Sequence, residues 1–197
     1  MKLTHFKKLV AIALVCVMAV VALSGCKDAV STASIARMMN DLSSVEDREV
    51  EENAKITAAL KSALPKLKAM YEEDPASVID EEDKGRSTSA AACLLKDALE
   101  AEGVTTTGKM IWLTSVPTKD RNLTKQVAGL MREPYDAFVI QGDIENQEAG
   151  RKRELGTVVI SGFGFDEVTG ASITEKETVR IALFVADAVD SQGSLHP

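Results

Sequence analysis

ETVRIALFVADA, Glu177 to Ala188, carries two competing periodicities, and the choice between them sets the fold. As a helix, Thr174-Glu175-Lys176-Glu177 would form a capping box ahead of it, with Val179, Ala182, Leu183 and Ala186 on one face. As a strand, Val179, Ile181, Leu183 and Val185 alternate to one side, with Thr178, Arg180 and Ala182 on the other. Three of the four inward residues are β-branched, which favours extended backbone. Asp190 to Gly193 then supply turn residues. We read a strand, pairing antiparallel with Leu155 to Phe165 (LGTVVISGFGF) through a loop around Gly170. That choice makes the domain a mixed sheet with helices packed on it. A helix would give a more regular alternation of strands and helices.

Upstream, Lys109 to Val116 (KMIWLTSV) reads as a strand. Pro117 and Thr118 then open a helix in which Leu123, Val127, Leu130 and Met131 share a face, and Pro134 closes it. Asp136 to Ile144 (DAFVIQGDI) is a short apolar strand, as in a buried sheet. Strand, helix and strand in about 35 residues match a crossover unit, whose strands run parallel. Glu145 to Glu154 reads as a polar loop containing Arg151, Lys152 and Arg153. Gly162-Phe163-Gly164 lacks the spacing of a dinucleotide fingerprint, and its glycines suit a bulge or a close backbone approach.

Further toward the N-terminus the period becomes helical. Ile35, Met38, Met39 and Leu42 fall on one face of a short helix. Val45 to Tyr71 reads as a longer one, with Ile56, Ala59, Leu60, Ala63, Leu64 and Leu67 as its stripe. Glu46, Asp47, Glu49, Glu51 and Glu52 crowd its start, where the macrodipole favours acids. Pro65 predicts a kink or a split. Glu72 to Arg86 is a charged loop without the alternating acids of a calcium-binding loop. Ser87 or Ser89 caps the next helix, Ala91, Leu94, Leu95, Ala98 and Leu99 form its stripe, and Gly103 stops it. The expected fold class is α/β, with α+β as the alternative: N-terminal amphipathic helices packed on a mixed sheet of about four strands. The helical region is 35–104 and the α/β region 105–197, the latter forming one domain with 45–104.

The chain starts differently. Lys2, Lys7 and Lys8 precede an apolar run from Leu9 to Ala22, and Leu23-Ser24-Gly25-Cys26 follows. Basic head, short apolar middle and small residues before a cut are the parts of a secretory signal. Leu-Ser-Gly-Cys resembles the lipobox of bacterial lipoproteins, which are cut before the cysteine. The resemblance implies a signal peptide over 1–25, cleavage between Gly25 and Cys26, and a lipidated tether over 26–34. It implies a diacylglycerol on the Cys26 thiol and a further acyl chain such as palmitate on its amino group. Two or three chains sum to an anchor that hardly dissociates, at about 0.8 kcal/mol per buried methylene. Lys27, rather than an aspartate, follows Cys26, which implies the periplasmic face of the outer membrane if the source is Gram-negative. Otherwise it implies the outer face of the cell membrane.

Composition narrows the chemistry. The net charge is −7, and losing a leader with three lysines and no acid makes the remainder more acidic. Such a surface disfavours nucleic acid as a partner. Of three cysteines, Cys16 leaves with the leader and Cys26 is acylated, so Cys93 has no partner for an intramolecular disulfide. His5 also leaves, and His196 sits next to the C-terminal Pro197. A nucleophile–histidine arrangement or a His/Cys zinc site is therefore disfavoured. No metal, cofactor or catalytic residue is assigned, and the expectation is a protein that is not an enzyme.

Asp136-Ala-Phe-Val-Ile-Gln-Gly142 and Asp190-Ser191-Gln192-Gly193, taken together, are similar to segments of the envelope lipoproteins grouped around the curli secretion channel subunit and the outer-membrane activators of penicillin-binding proteins. Gly162-Phe163-Gly164 has a parallel in the channel branch. The likeness spans about residues 105–193 and implies an α/β lipoprotein domain that binds an envelope protein partner. The expected function is scaffolding or regulating a cell-envelope assembly. The alternative is a small-ligand-binding lipoprotein with a pocket at the strand ends, lined by Trp112, Tyr135 and Gln141. A carboxylate enzyme using Asp143 and Glu145 is a third reading.

Overall fold

In a computed structural model of the chain, residues 30–43, 48–73, 89–119, 122–142, 147–164 and 177–189 are described, except the side chain of Tyr135. Glu177 to Ala188 is extended. Strand β5 (Thr178–Val189) is buried at every position from Val179 to Ala186. It lies between β4 (Glu148–Ser161) and β2 (Lys109–Pro117), antiparallel to both. Burial on both faces explains its nearly unbroken apolar run. The helical alternative loses because both flanking strands offer β5 a ladder along its whole length. Gly162 (φ 70°) ends β4, and its N–H donates to Glu177 O at 2.8 Å, closing the β4–β5 ladder. The connecting loop around Gly170 lies outside the described residues.

Among the described residues five strands form the sheet, one more than the roughly four expected, in the order β1-β4-β5-β2-β3, with β1 spanning Glu49–Glu52 and β3 spanning Phe138–Gln141. The class is α/β with a mixed sheet: β1 runs parallel to β4, and the other pairs are antiparallel. Helices α2 (Ala54–Glu73) and α3 (Ala90–Ala101) cover one face. Their Ile56, Leu60, Leu64, Leu67, Leu95 and Leu99 meet Ile111, Leu113, Ile181 and Leu183 in the main core. Helices α1 (Thr32–Leu42) and α4 (Leu123–Leu130) pack on other side chains of the unit, α4 beside β2. Residues from Thr32 onward belong to one compact unit, so α1 already begins inside the stretch 26–34 expected as tether.

Several expectations are corrected. The helix expected over Val45 to Tyr71 starts only at Ala54, because Glu49–Glu52 is a strand paired with β4. Asn53 makes the switch: its N–H donates to Leu155 O at 2.8 Å, and its side-chain oxygen accepts from Lys55 N at 2.9 Å. Pro65 does not split α2, which runs continuously to Glu73 with the proline on its exposed side. The close seat of α2 on the sheet depends on Gly156. A Cβ there would meet Thr57 N at 2.5 Å and the Ile56 carbonyl carbon at 2.6 Å.

The polar loop expected over Glu145 to Glu154 is, from Glu148 onward, the first half of β4. Its basic residues face an acidic partner: Lys152 opposes Glu49 in register and reaches Glu51 at 2.8 Å. The expected crossover is absent, since β2 and β3 pair antiparallel, Leu113 opposite Phe138 and Ile111 opposite Gln141. Pro117 ends β2 rather than opening a helix. Thr118 ties the strand end to Thr178 O, and α4 starts at Leu123 under an Asn122 cap, with Asn122 accepting from Lys125 N at 2.9 Å. Eight helical residues span only ~12 Å, and after the 3-10 turn Pro134–Asp136 the chain re-enters beside the middle of β2. Of the expected strand Asp136–Ile144, Asp136 belongs to the 3-10 turn and Phe138–Gln141 is strand, while Asp143 and Ile144 lie outside the described residues. Helix α3 follows expectation: Ser89 accepts from Ala92 N at 3.1 Å, and Gly103 (φ 72°) terminates it.

Candidate functional site

The residues expected to line a ligand pocket have other tasks. Trp112 is fully buried and stacks on Phe184, with ring centroids 5.0 Å apart and planes 7° from parallel. The Gln141 side-chain amide donates to Thr106 O in the segment before β2. Tyr135 sits in the 3-10 turn, and its side chain lies outside the described residues. Gly25, Cys26, Asp143 and Glu145 also lie outside them, as does the turn Asp190 to Gly193. Cys93 is exposed on α3. Among the described residues, no three His, Cys, Asp or Glu side chains are grouped as metal ligands. No described helix is long and apolar enough to cross a membrane.

A different group of side chains comes together. Arg153, on β4, is only 7% exposed, and its guanidinium lies over Trp112, 5.3 Å from the ring centroid. Its end donates to Glu133: Nη2 to Oε2 at 3.0 Å and Nη1 to Oε1 at 3.4 Å. The same carboxylate is shared with Arg48, at the start of β1. Glu133 is placed by Pro134, which fixes the backbone as the chain leaves α4 for the 3-10 turn. Arg153 is placed by an irregularity in β4. Ala149 opposes Ala188 and Arg153 opposes Ala186, so four steps along β4 match two along β5. Extra residues of this kind re-aim the side chains beside them.

These groups border a cleft of about 40 Å³, with Met39 and Asn40 of α1, Val50 of β1 and Phe184 of β5 on its walls. The volume holds a few waters or one small polar group, not a drug-sized ligand. Two buried donors, Trp112 Nε1 and Arg153 Nε, have no hydrogen-bond partner among the described residues. Asn40 also closes the outer edge of β1. Its amide nitrogen donates to Val50 O at 3.0 Å, and its oxygen accepts from Val50 N at 2.8 Å. One carboxamide thus stands where a further strand would bond.

Sequence reasoning missed Arg48, Glu133 and Arg153, because charged residues in polar stretches read as solvated. The signal that was present is the run Arg151-Lys152-Arg153 in an acidic chain, together with a lone tryptophan. Comparisons with protein-family models, with curated proteins and with solved structures find no match to this chain.

Proposed function

We propose that this chain is a membrane-anchored lipoprotein that scaffolds or regulates a cell-envelope assembly through a protein partner and catalyses no reaction. The observation that carries the reading is Leu23-Ser24-Gly25-Cys26 behind a basic and apolar leader. A compact unit begins soon after, at Thr32. The intervening residues 27–31 reach at most ~18 Å when extended. A domain tethered so closely acts near the bilayer, on partners that share the membrane. The location proposed is the periplasmic face of the outer membrane in a Gram-negative source, and otherwise the outer face of the cell membrane. The likeness of Asp136 to Gly142 to curli-channel and penicillin-binding-protein-activator lipoproteins points the same way. Scaffolding is preferred over a ligand pocket at the strand ends because Trp112 is sealed in the interior and Gln141 is engaged by Thr106.

The test is metabolic labelling with a fatty-acid analogue. Wild-type protein is expected to take the label and run at its processed size. Cys26→Ala is expected to stay unlabelled and unprocessed, since the thiol is the acceptor at the cut. Equal label on both proteins would sink the anchor, and with it the proposed location.

A further inference from the structure

We infer that the cleft between α1, β1 and the α4–β3 connection binds an oxyanion end group, a carboxylate or a phosphate, on the guanidinium of Arg153 with Arg48 as a second cation. The inference does not depend on the lipid anchor. It starts from Arg153, a cation 7% exposed. Burying a cation is costly unless it is well paired. Among the described residues one carboxylate, Glu133, serves both Arg153 and Arg48, so these three side chains together carry net positive charge inside an acidic chain.

Geometry adds the second reason. A guanidinium has five N–H donors in a rigid fork. Glu133 meets Arg153 end-on, through Nη1 and Nη2. Nε is shielded from solvent and has no partner among the described residues, so Glu133 leaves the pairing of this cation incomplete. A purely structural cover for Trp112 needs none of this. A methionine would fill the same place without desolvating a charge or leaving an N–H unpaired. The β4 irregularity between Ala149 and Arg153 sets this side chain at a cleft of about 40 Å³, room for one small oxyanion group.

The chain carries its own reporter. Trp112 is its single tryptophan and lies directly under the Arg153 guanidinium. Inorganic phosphate and acetate are titrated separately into the full-length protein at constant ionic strength, with chloride as the control and tryptophan emission as the readout. A saturable change with phosphate or acetate, and none with chloride, is expected. A response to phosphate alone assigns a phosphate-bearing ligand, to acetate alone a carboxylate-bearing one, and to both a site for either. Arg153→Lys keeps a cation but loses the fork, so the response should vanish. Arg48→Ala, at a more exposed position, should weaken binding about tenfold. Glu133→Gln removes the internal competitor, so it should bind the anion more tightly than wild type. The anion should also raise its melting temperature more. A structural Glu133–Arg153 pair alone would instead lower stability with no recovery on adding anion. If Arg153→Lys fails to fold, Arg48→Ala and Glu133→Gln decide. No saturable change in wild type, or Arg48→Ala and Glu133→Gln both titrating like wild type, overturns the inference.

Discussion

On the side of the sheet under α2 and α3, β5 presents Val179, Ile181, Leu183 and Val185 to the apolar main core. The alternate positions of the same strand are Arg180, Ala182, Phe184, Ala186 and Ala188. Their neighbours include Trp112, stacked on Phe184, and Gln126, which accepts from Arg180 Nε at 3.1 Å. Arg153 over Trp112 belongs to this group, and Thr114 donates to Leu130 O at 3.3 Å. Thr157, in register with Ala182, meets Thr32 of α1 at 2.9 Å. The helices differ as well. Twenty residues in α2 press one long apolar stripe into the core, whereas α1 has 11 residues and α4 eight. Helices that short are marginal alone and hold their place through tertiary contacts. Apolar burial is non-directional and supplies bulk stability. Buried polar groups demand particular partners, so they specify one arrangement and are sensitive to what approaches them.

The largest expected effect breaks the apolar side. Leu60 is fully buried at the centre of the α2 stripe, and Leu60→Asp would place a carboxylate there without a partner. A loss of about 4 kcal/mol or more is expected. The adjacent Lys61 is exposed, and Lys61→Asp should change stability by no more than about 0.5 kcal/mol. Thermal melts of the two variants side by side check this. Similar losses for both would mean that the stripe is not what holds the domain together.

A smaller effect concerns the polar side. Asn40 bonds both backbone groups of Val50 on the outer edge of β1. The contact is exposed, so water replaces it in Asn40→Ala and the loss of stability should be about 1 kcal/mol. The expected consequence is chiefly one of association, because an uncovered strand edge is a template for another chain. Sedimentation across a concentration series should show more self-association for Asn40→Ala than for wild type. An unchanged distribution would reduce Asn40 to an ordinary surface contact.

The same division governs what could be read from the sequence. The apolar side was legible: the stripes of α2 and α3, the alternation in β5, and the Ser89 and Gly103 signals all have local periods or turn chemistry behind them. Strand β1 was not. EVEE has no apolar alternation to separate it from the acidic start of a helix, and it is extended because of β4, about a hundred residues away. The first half of β4 failed for the mirror reason, since its basic residues make sense only opposite β1. Strand direction was lost at β3, because a period of two says nothing about parallel or antiparallel pairing. The cleft was invisible because Arg48 and Arg153 find Glu133 across 85 and 20 positions. Each residue, taken alone, looks like solvated surface.

The β1–β4 joint, where acidic edge meets basic strand, yields the smallest expected effect. Lys152 is exposed, and its pKa is raised above the usual 10.5. The Glu51 carboxylate is the main cause, through its hydrogen bond and its charge; partial desolvation opposes it, and the charges of Glu49 and Glu154 add smaller upward pushes. A folded-state pKa above the unfolded one means that the folded chain holds this proton more tightly. The resulting stability is fully present below the unfolded pKa, near 10.4 for a lysine, and is lost as pH rises through the folded value. Wild type and Lys152→Gln should therefore differ by a small constant amount at neutral and mildly alkaline pH. The gap should close above pH ~10.5, while other lysines and tyrosines titrate in both proteins and largely cancel. Because the pair is exposed, added salt should shrink the gap at every pH. Denaturant melts of both proteins from pH 8 upward measure it. A gap that widens with pH would mean that Lys152 is held by something other than the acidic edge of β1.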